Sequence, residues 1–308
     1  MKTVIKKVPL PISGVALGLA ALGNLIQSYS EVARSVCGVL AFLCLLLLAV
    51  RILVVPDSLV KELEEPVPAG VSATFPMAMT LLSVYLKPFV GGGAVIIWYL
   101  ALVMHACLIL YVTFHFVIKF SLTNMVPSFF IVYAGIVGGS VTAPAYGQQG
   151  LGNILFWTGF IPYLLMLCLV TYRYIKLPKL PAPAKPLLCI YTAPMSLCVA
   201  GYVQSVTPKS VQFLTILFTA AMCLYVFALL WSIRCWCLPF YPSHASFTFP
   251  FVISAIAVKM TMTAMTKLGQ PWPWLQPISS IMTVIAIGWT LATFVLFMVF
   301  LTAPTVKK

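Results

Sequence analysis

Residues 43–48 read Leu-Cys-Leu-Leu-Leu-Leu, within an apolar run over 33–55. One helical crossing of a bilayer needs about 20 consecutive and mostly apolar residues, and this run supplies them. The same character extends through the chain, because 62% of its 308 residues are apolar and only 7% are charged. Soluble domains carry roughly 25% charged residues. The composition therefore predicts an all-α integral membrane protein whose surface faces the lipid bilayer.

Runs of comparable length recur along the whole sequence. They cover 10–29, 33–55, 71–87, 93–119, 126–146, 150–173, 186–204, 209–236, 246–267 and 274–303. We therefore expect ten transmembrane helices and a single transmembrane domain over 1–308. The first run is expected to be a retained helix and not a signal peptide, since no clear small-residue cleavage site follows it.

The positions of the basic residues support this count. Ten spans place thirteen of the 18 Lys and Arg residues on one side of the membrane, four on the other side and one within a span. The larger group is Lys2, Lys6, Lys7, Arg51, Lys61, Lys119, Arg173, Lys176, Lys179, Lys185, Arg234, Lys307 and Lys308, and the smaller is Arg34, Lys87, Lys209 and Lys267. Because cytoplasmic loops carry an excess of Lys and Arg, we predict a multi-pass protein of the cell membrane with both termini in the cytoplasm.

A proline recurs about every 60 residues, near the start of each odd-numbered span. These prolines are Pro11, Pro76, Pro127, Pro194 and Pro250, and a threonine stands two residues before three of them, at Thr74, Thr192 and Thr248. A fixed period marks a repeated structural unit, here a hairpin of two helices. Five hairpins are thus predicted.

The odd and even spans differ in side-chain size. The odd spans are rich in Gly, Ala, Ser and Thr, which allow helices to approach closely, whereas the even spans are rich in Leu, Val and Phe. We therefore expect an inner ring of odd helices, bent at the prolines around a central pore, and an outer ring of even helices. The alternative is that the prolines only mark helix starts, where proline is favoured.

The chain has no Asp or Glu between Pro66 and Lys308. Cation pathways and cation-coupled carriers usually place a carboxylate within the membrane. A pore without one, in a protein with a net charge of +13, favours small anions. The basic residue within a span, Lys259, either attracts anions in the pore or extends its ammonium group to the membrane interface.

Other functions find little support in the sequence. The spans contain no paired carboxylates, His-rich metal spacing or phosphate-binding glycine loop, so we predict no enzymatic activity, no metal and no cofactor. The basic residues do not form the polar face that a nucleic-acid partner needs. His244, which precedes the ninth span, is expected to be solvated.

Three short strings resemble a known family. Residues 9–14 (PLPISG) and 18–22 (GLAAL) look like the start of the bacterial tellurite-resistance protein TehA, and residues 246–250 (SFTFP) look like the start of the ninth helix throughout its family. This tellurite-resistance and C4-dicarboxylate transporter family includes the plant guard-cell slow anion channels and the yeast malate permeases. The resemblance covers essentially the whole chain.

The resemblance implies a homotrimer in which each protomer has its own pore, and a phenylalanine of helix nine that plugs the pore. Phe249 matches that position best. Residues two apart on a helix point about 200° from each other, so Phe247 and Phe251 do not share its direction. Phe75 occupies the corresponding place in the second hairpin, where it either packs against this gate or joins two helices.

Three functions remain open from the sequence. The first is a gated anion channel that passes small anions such as chloride or nitrate. The second is a coupled transporter of C4-dicarboxylates or of oxyanions such as tellurite, as the names of the family suggest. The third is a membrane-embedded enzyme or scaffold, which would need a polar catalytic cluster. The missing carboxylates favour the channel.

Overall fold

The computed structural model describes residues 2–303, which form helices joined by short turns. The α-helices are α1 (Lys2–Lys7), α2 (Ile12–Ile26), α3 (Glu31–Val54), α4 (Pro56–Leu63), α5 (Pro66–Ser72), α6 (Thr74–Val90), α7 (Ala94–Val112), α8 (Phe129–Gly135), α9 (Val137–Thr142), α10 (Gln149–Lys176), α11 (Thr192–Ser205), α12 (Val211–Trp236), α13 (Phe249–Lys267) and α14 (Leu275–Thr302). A π-helical segment, Thr113–Val117, extends α7. Lys307 and Lys308, which enter the predicted charge distribution, lie outside the described residues, as does the side chain of Lys2.

Within the described part of the chain, eight helical segments are long and apolar enough to cross a membrane. One of them runs from Pro66 to Val117, over 52 residues. It is interrupted at Gly91, whose φ of +56° separates α6 from α7. Helix α2 is apolar but only 15 residues long. The protein is thus a multi-pass helical membrane protein.

Local sequence explains where several helices begin. Ser30 and Ser210 cap α3 and α12, because their hydroxyls accept hydrogen bonds from the backbone N–H groups of Ala33 and Phe213. Such caps satisfy donors that have no partner within the helix. Pro250 lies in the first turn of α13, where the missing N–H of proline carries no penalty.

Helices that follow one another in the chain pack in pairs. Helix α2 packs on α3, α6 on α7, α9 on α10, α11 on α12 and α13 on α14. The first members of these pairs also contact one another: α2 contacts α6, α6 contacts α9, α9 contacts α11, α11 contacts α13, and α13 contacts α2.

Burial differs between the two members of the last two pairs. In their most apolar stretches, 94% of the residues of Ala182–Ser205 are buried against 33% for Val211–Trp236, and 72% for Pro242–Lys267 against 28% for Leu275–Thr302. Large apolar side chains on α3, α7, α10, α12 and α14 are exposed, among them Leu43 and Val103. Exposed apolar surface of this extent is stable when it faces lipid.

The prediction that His244 is solvated is wrong, because its side chain is only 1% exposed. The segment Pro242–Phe247 forms a 3₁₀-helix that packs on Ala182–Tyr191 and on α14. The imidazole accepts a hydrogen bond from the backbone N–H of Tyr241 through Nδ1, at 3.1 Å. A short helix buried between longer ones thus replaces the expected open loop.

Candidate functional site

Short helical segments precede α6, α11 and α13. Each of these helices begins one or two residues before one of the repeated prolines. Helix α5 ends one residue before α6, the 3₁₀-helix Ala182–Tyr191 runs directly into α11, and Pro242–Phe247 precedes α13. Between the 3₁₀-helix Pro242–Phe247 and α13, Thr248 has φ −94° and ψ −93°, which is outside helical geometry. Pro76, Pro194 and Pro250 therefore stand within the first turn of a helix.

Hydroxyl groups join these helices at about the level of the prolines. Ser13 of α2 bonds Thr74 of α6 at 2.7 Å, and Ser254 of α13 lies 3.0 Å from the hydroxyls of both Thr192 and Ser196 on α11. Thr248 donates to the carbonyl oxygen of Gly14 on α2, at 3.0 Å. Small polar residues of this kind allow helices to pack closely within a membrane.

Two cavities lie between α2, α6, α8, α9, α11 and α13. The first, which we call the proline-side cavity, has a volume of about 430 Å³ and is lined by residues that include Pro11, Pro194 and Pro250. The second, the lysine-side cavity, has a volume of about 640 Å³ and is lined by residues that include Lys259 and Arg34. Each is large enough to hold several water molecules.

Of the residues that the structure describes, four line both cavities and so lie at the boundary between them. These residues, which we call the waist, are Leu17, Met77, Leu197 and Phe249. They come from α2, α6, α11 and α13, and all four are buried. The waist is apolar, so an ion that passed between the cavities would meet no group able to replace its hydration shell.

Phe249 is the aromatic member of the waist and is 7% exposed. Its neighbours in sequence point elsewhere: Phe247 packs against Trp289, with ring centroids 5.2 Å apart, and Phe251 packs against Tyr225 at 5.8 Å. Both partners lie on the outer helices α14 and α12. Phe249 and Phe251 both lie on α13, where residues two apart point in different directions, whereas Phe247 belongs to the preceding 3₁₀-helix.

Two glycines on neighbouring helices allow waist residues to pack directly against the helix backbone. A Cβ atom on Gly18 would lie 2.5 Å from the Cβ of Thr248 and 2.9 Å from the backbone nitrogen of Phe249. A Cβ atom on Gly135 would lie 2.6 Å from the sulfur of Met77. Gly18 and Gly135 therefore allow the close approach that positions Phe249 and Met77.

The two cavities differ in polarity. Glu62 is the one charged residue that lines the proline-side cavity within the described residues, and its carboxylate forms an ion pair with the buried guanidinium of Arg51. The lysine-side cavity is lined by Lys259, Arg34 and Glu31. Among the described residues, neither cavity presents an unpaired carboxylate, because Glu31 pairs with Arg34 at 3.5 Å.

The structure distributes the predicted site residues among three surroundings. Thr74, Pro194 and Pro250 line the proline-side cavity, and Lys259 lines the lysine-side cavity. Pro76, Thr192 and Thr248 are buried between helices, and Phe75 is half-buried against the apolar core; these four line neither cavity.

Sequence reasoning missed three of the four waist residues: Leu17, Met77 and Leu197. Counted from the proline of the same span, they lie at offsets of +6, +1 and +3, whereas Phe249 lies at −1. The repeat therefore predicts which helices meet but not which residues of each helix share one level. Phe249 was assigned from the resemblance of residues 246–250 to the family.

The described residues hold no group of three His, Cys, Asp or Glu side chains placed to bind a metal ion. Multiple membrane helices that enclose two cavities with an apolar boundary define a protein of the channel or transporter class. Within that class, the chain belongs to the voltage-dependent anion channel family, whose profile matches residues 7–298. No curated protein matches the sequence. Family membership confirms the resemblance inferred from the short motifs, and it places the chain in a family of anion channels.

Proposed function

We propose that this protein is a gated anion channel whose pore joins the two cavities and is occluded at the waist by Phe249. The observation that carries the proposal is that Phe249 lines both cavities. A side chain in that position stands across the shortest route from one cavity to the other. Leu17, Met77 and Leu197 complete the constriction.

The physical basis of closure is desolvation. Transfer of a small ion from water to a medium of low dielectric constant costs on the order of 20 kcal/mol in the idealised Born estimate, and the waist offers no polar group in compensation. A ring that rotates away from the axis admits water, so that the anion keeps its hydration shell. Displacement of Phe249 is thus the opening step of the proposed mechanism.

The lining residues favour anions over cations. Both carboxylates at the cavities, Glu31 and Glu62, are neutralised by arginine partners. Lys259 adds positive charge in the lysine-side cavity. A positive potential raises the local concentration of anions and lowers that of cations.

We also propose the architecture in which this pore operates. Division of the 52-residue segment at Gly91, together with inclusion of α2, gives ten spans and five hairpins. The successive contacts among α2, α6, α9, α11 and α13, and the deep burial of α2, α11 and α13, support an inner ring around the pore with the even helices outside. A single channel domain over residues 1–308, a homotrimeric assembly, a location in the cell membrane and cytoplasmic termini complete the proposal.

The test is the conductance of purified protein in planar bilayers with symmetrical chloride. We expect Phe249→Ala to raise the current at least about tenfold, since each 1.4 kcal/mol removed from a barrier increases a rate tenfold. Phe42→Ala is the matched control, because Phe42 is exposed on the outer helix α3 and its loss leaves the waist intact. Equal currents in wild type, Phe249→Ala and Phe42→Ala would show that Phe249 does not occlude the path.

The alternative within the same family is a coupled carrier of C4-dicarboxylates or of oxyanions such as tellurite. Such a carrier needs a group that binds the coupling ion, whereas the waist consists of apolar side chains. Flux into proteoliposomes whose membrane potential is held constant with potassium and valinomycin distinguishes the two. The channel passes chloride down its gradient equally with and without a protonophore. A proton-coupled carrier instead accumulates a C4-dicarboxylate under a pH gradient and loses that accumulation when the protonophore collapses the gradient.

A further inference from the structure

The lysine-side cavity contains an ammonium group without an acidic partner. Lys259 Nζ donates to the hydroxyl of Ser28 at 2.7 Å and to the carbonyl oxygen of Leu25 at 3.4 Å. An ammonium group has three N–H donors; within the part of the chain that the structure describes, two of them have hydrogen-bond partners, and the nitrogen also lies 5.3 Å from the centre of the Tyr29 ring. Among the described residues, neither ion pair involves Lys259, and its charge is not neutralised locally.

A second cation faces the same cavity. The guanidinium of Arg34 pairs with Glu31 and donates from Nε to Oδ1 of Asn24, at 3.3 Å. With its oxygen engaged in this bond, Asn24 presents its NH₂ group as a donor. The charges of Lys259 (+1), Arg34 (+1) and Glu31 (−1) sum to +1 at this end of the path.

We infer that Lys259, Arg34 and Asn24 form a binding subsite for a small monovalent anion within the lysine-side cavity, separate from the gate. Lys259 lies ten residues after Phe249 on α13, about 15 Å along the helix axis at 1.5 Å per residue. The inference rests on the proposed channel function and assigns the residues that concentrate the anion before it reaches the waist. The ammonium group and the guanidinium fork have N–H donors and no acceptor, and the amide oxygen of Asn24 is bonded to Arg34, so the three side chains offer N–H donors that suit an anion, while the two positive charges repel a cation.

The competing interpretation gives Lys259 a structural role, since its bonds to Leu25 and Ser28 join α13 to the end of α2. A structural lysine affects stability at every salt concentration. An electrostatic subsite acts through a field that salt screens, with a Debye length of about 30 Å at 0.01 M and about 3 Å at 1 M. The dependence on salt therefore separates the two roles.

The experiment measures chloride conductance in planar bilayers at 10 mM and at 1 M KCl, with every variant made in the Phe249→Ala protein so that the gate is open. Lys259→Gln is expected to lower the conductance about threefold at 10 mM, because a unit charge within several ångströms of the path shifts the local potential by about one thermal unit. Glu31→Gln is expected to raise it by a similar factor, because it releases the charge of Arg34. Both changes are expected to vanish at 1 M.

Two further variants complete the design. Lys259→Arg keeps the charge and is expected to conduct like its parent. Lys267→Gln removes an exposed charge from the same helix, outside both cavities, and is expected to change little. If the Phe249→Ala protein conducts but Lys259→Gln and Glu31→Gln shift the current in the same direction, or equally at both salt concentrations, the subsite is overturned while the channel stands. If Phe249→Ala itself passes no chloride, both the channel and the subsite fail.

Discussion

Gly18→Ala tests whether the packing of α2 against the start of α13 positions Phe249. The added methyl group would meet the Cβ of Thr248 at 2.5 Å, its Oγ1 at 2.6 Å and the backbone nitrogen of Phe249 at 2.9 Å. Backbone cannot rotate aside as a side chain can, so the two helices must separate. Overpacking of this kind costs about 1–3 kcal/mol.

Two readouts follow from that separation. Thermal unfolding in detergent should show a melting temperature lower by about 2–6 °C, from the usual relation between stability and melting temperature. Chloride current in planar bilayers should rise above that of wild type, because Phe249 moves with the start of α13 away from Leu17.

Gly288→Ala is the matched control for this prediction. Gly288 also lies in a membrane helix, α14, but nothing lies within 4 Å of an added Cβ atom there. Alanine has the higher helix propensity, so Gly288→Ala should keep or slightly raise the melting temperature and leave the current unchanged. If Gly18→Ala has the same melting temperature and the same chloride current as Gly288→Ala, the close approach of α2 to α13 does not position Phe249.

Two further variants test contacts away from the waist. Glu62→Gln removes the partner of the buried Arg51 charge and is expected to lower the free energy of unfolding by about 1–3 kcal/mol. Glu65→Gln, at an exposed neighbouring position, is the control. Equal melting temperatures of the two variants would contradict a stabilising role of the ion pair. Ser254→Ala breaks two hydrogen bonds between α13 and α11 and is expected to lower the free energy of unfolding by about 1–2 kcal/mol. Ser280→Ala, which removes an exposed hydroxyl of α14, should not change it measurably. A Ser280→Ala protein that melts at a lower temperature than Ser254→Ala would contradict the role of these hydrogen bonds.

Membrane helices can be predicted from the sequence because each one requires a long run of apolar residues. About 20 apolar residues are needed per crossing, and a run such as 33–55 is recognisable without any knowledge of its neighbours. Helix α2 is the instructive case, since 10–29 was the predicted span and Ile12–Ile26 is the helix. Turns at both ends shorten it, and hydropathy alone does not detect turns made of apolar residues.

The waist is harder to predict because it depends on the relative height of helices. Phe249 could be proposed because residues 246–250 resemble the family, but Met77 and Leu197 follow their prolines at different offsets. Height is set by three-dimensional contacts, such as Gly135 against Met77. A one-residue change of such a contact shifts a helix by about 1.5 Å and rotates a different side chain into the path.

Burial of His244 has a similar explanation. The segment before Phe249 contains Pro242, Ser243 and His244, which are typical of a solvated turn. In the structure this segment forms a 3₁₀-helix whose polar groups are satisfied internally, as in the bond from the Tyr241 N–H to His244. Polar composition predicted exposure, and internal hydrogen bonding allowed burial instead.

The most direct measurement of the central claim is the reversal potential of the Phe249→Ala protein in a planar bilayer under a tenfold KCl gradient. If the two cavities form one anion-selective path once the ring is removed, the current should be large and should reverse near the chloride equilibrium potential, about 59 mV from zero at 25 °C. A current that remains at the wild-type level, or one that reverses near zero or at the potassium potential, would contradict a chloride path closed by Phe249.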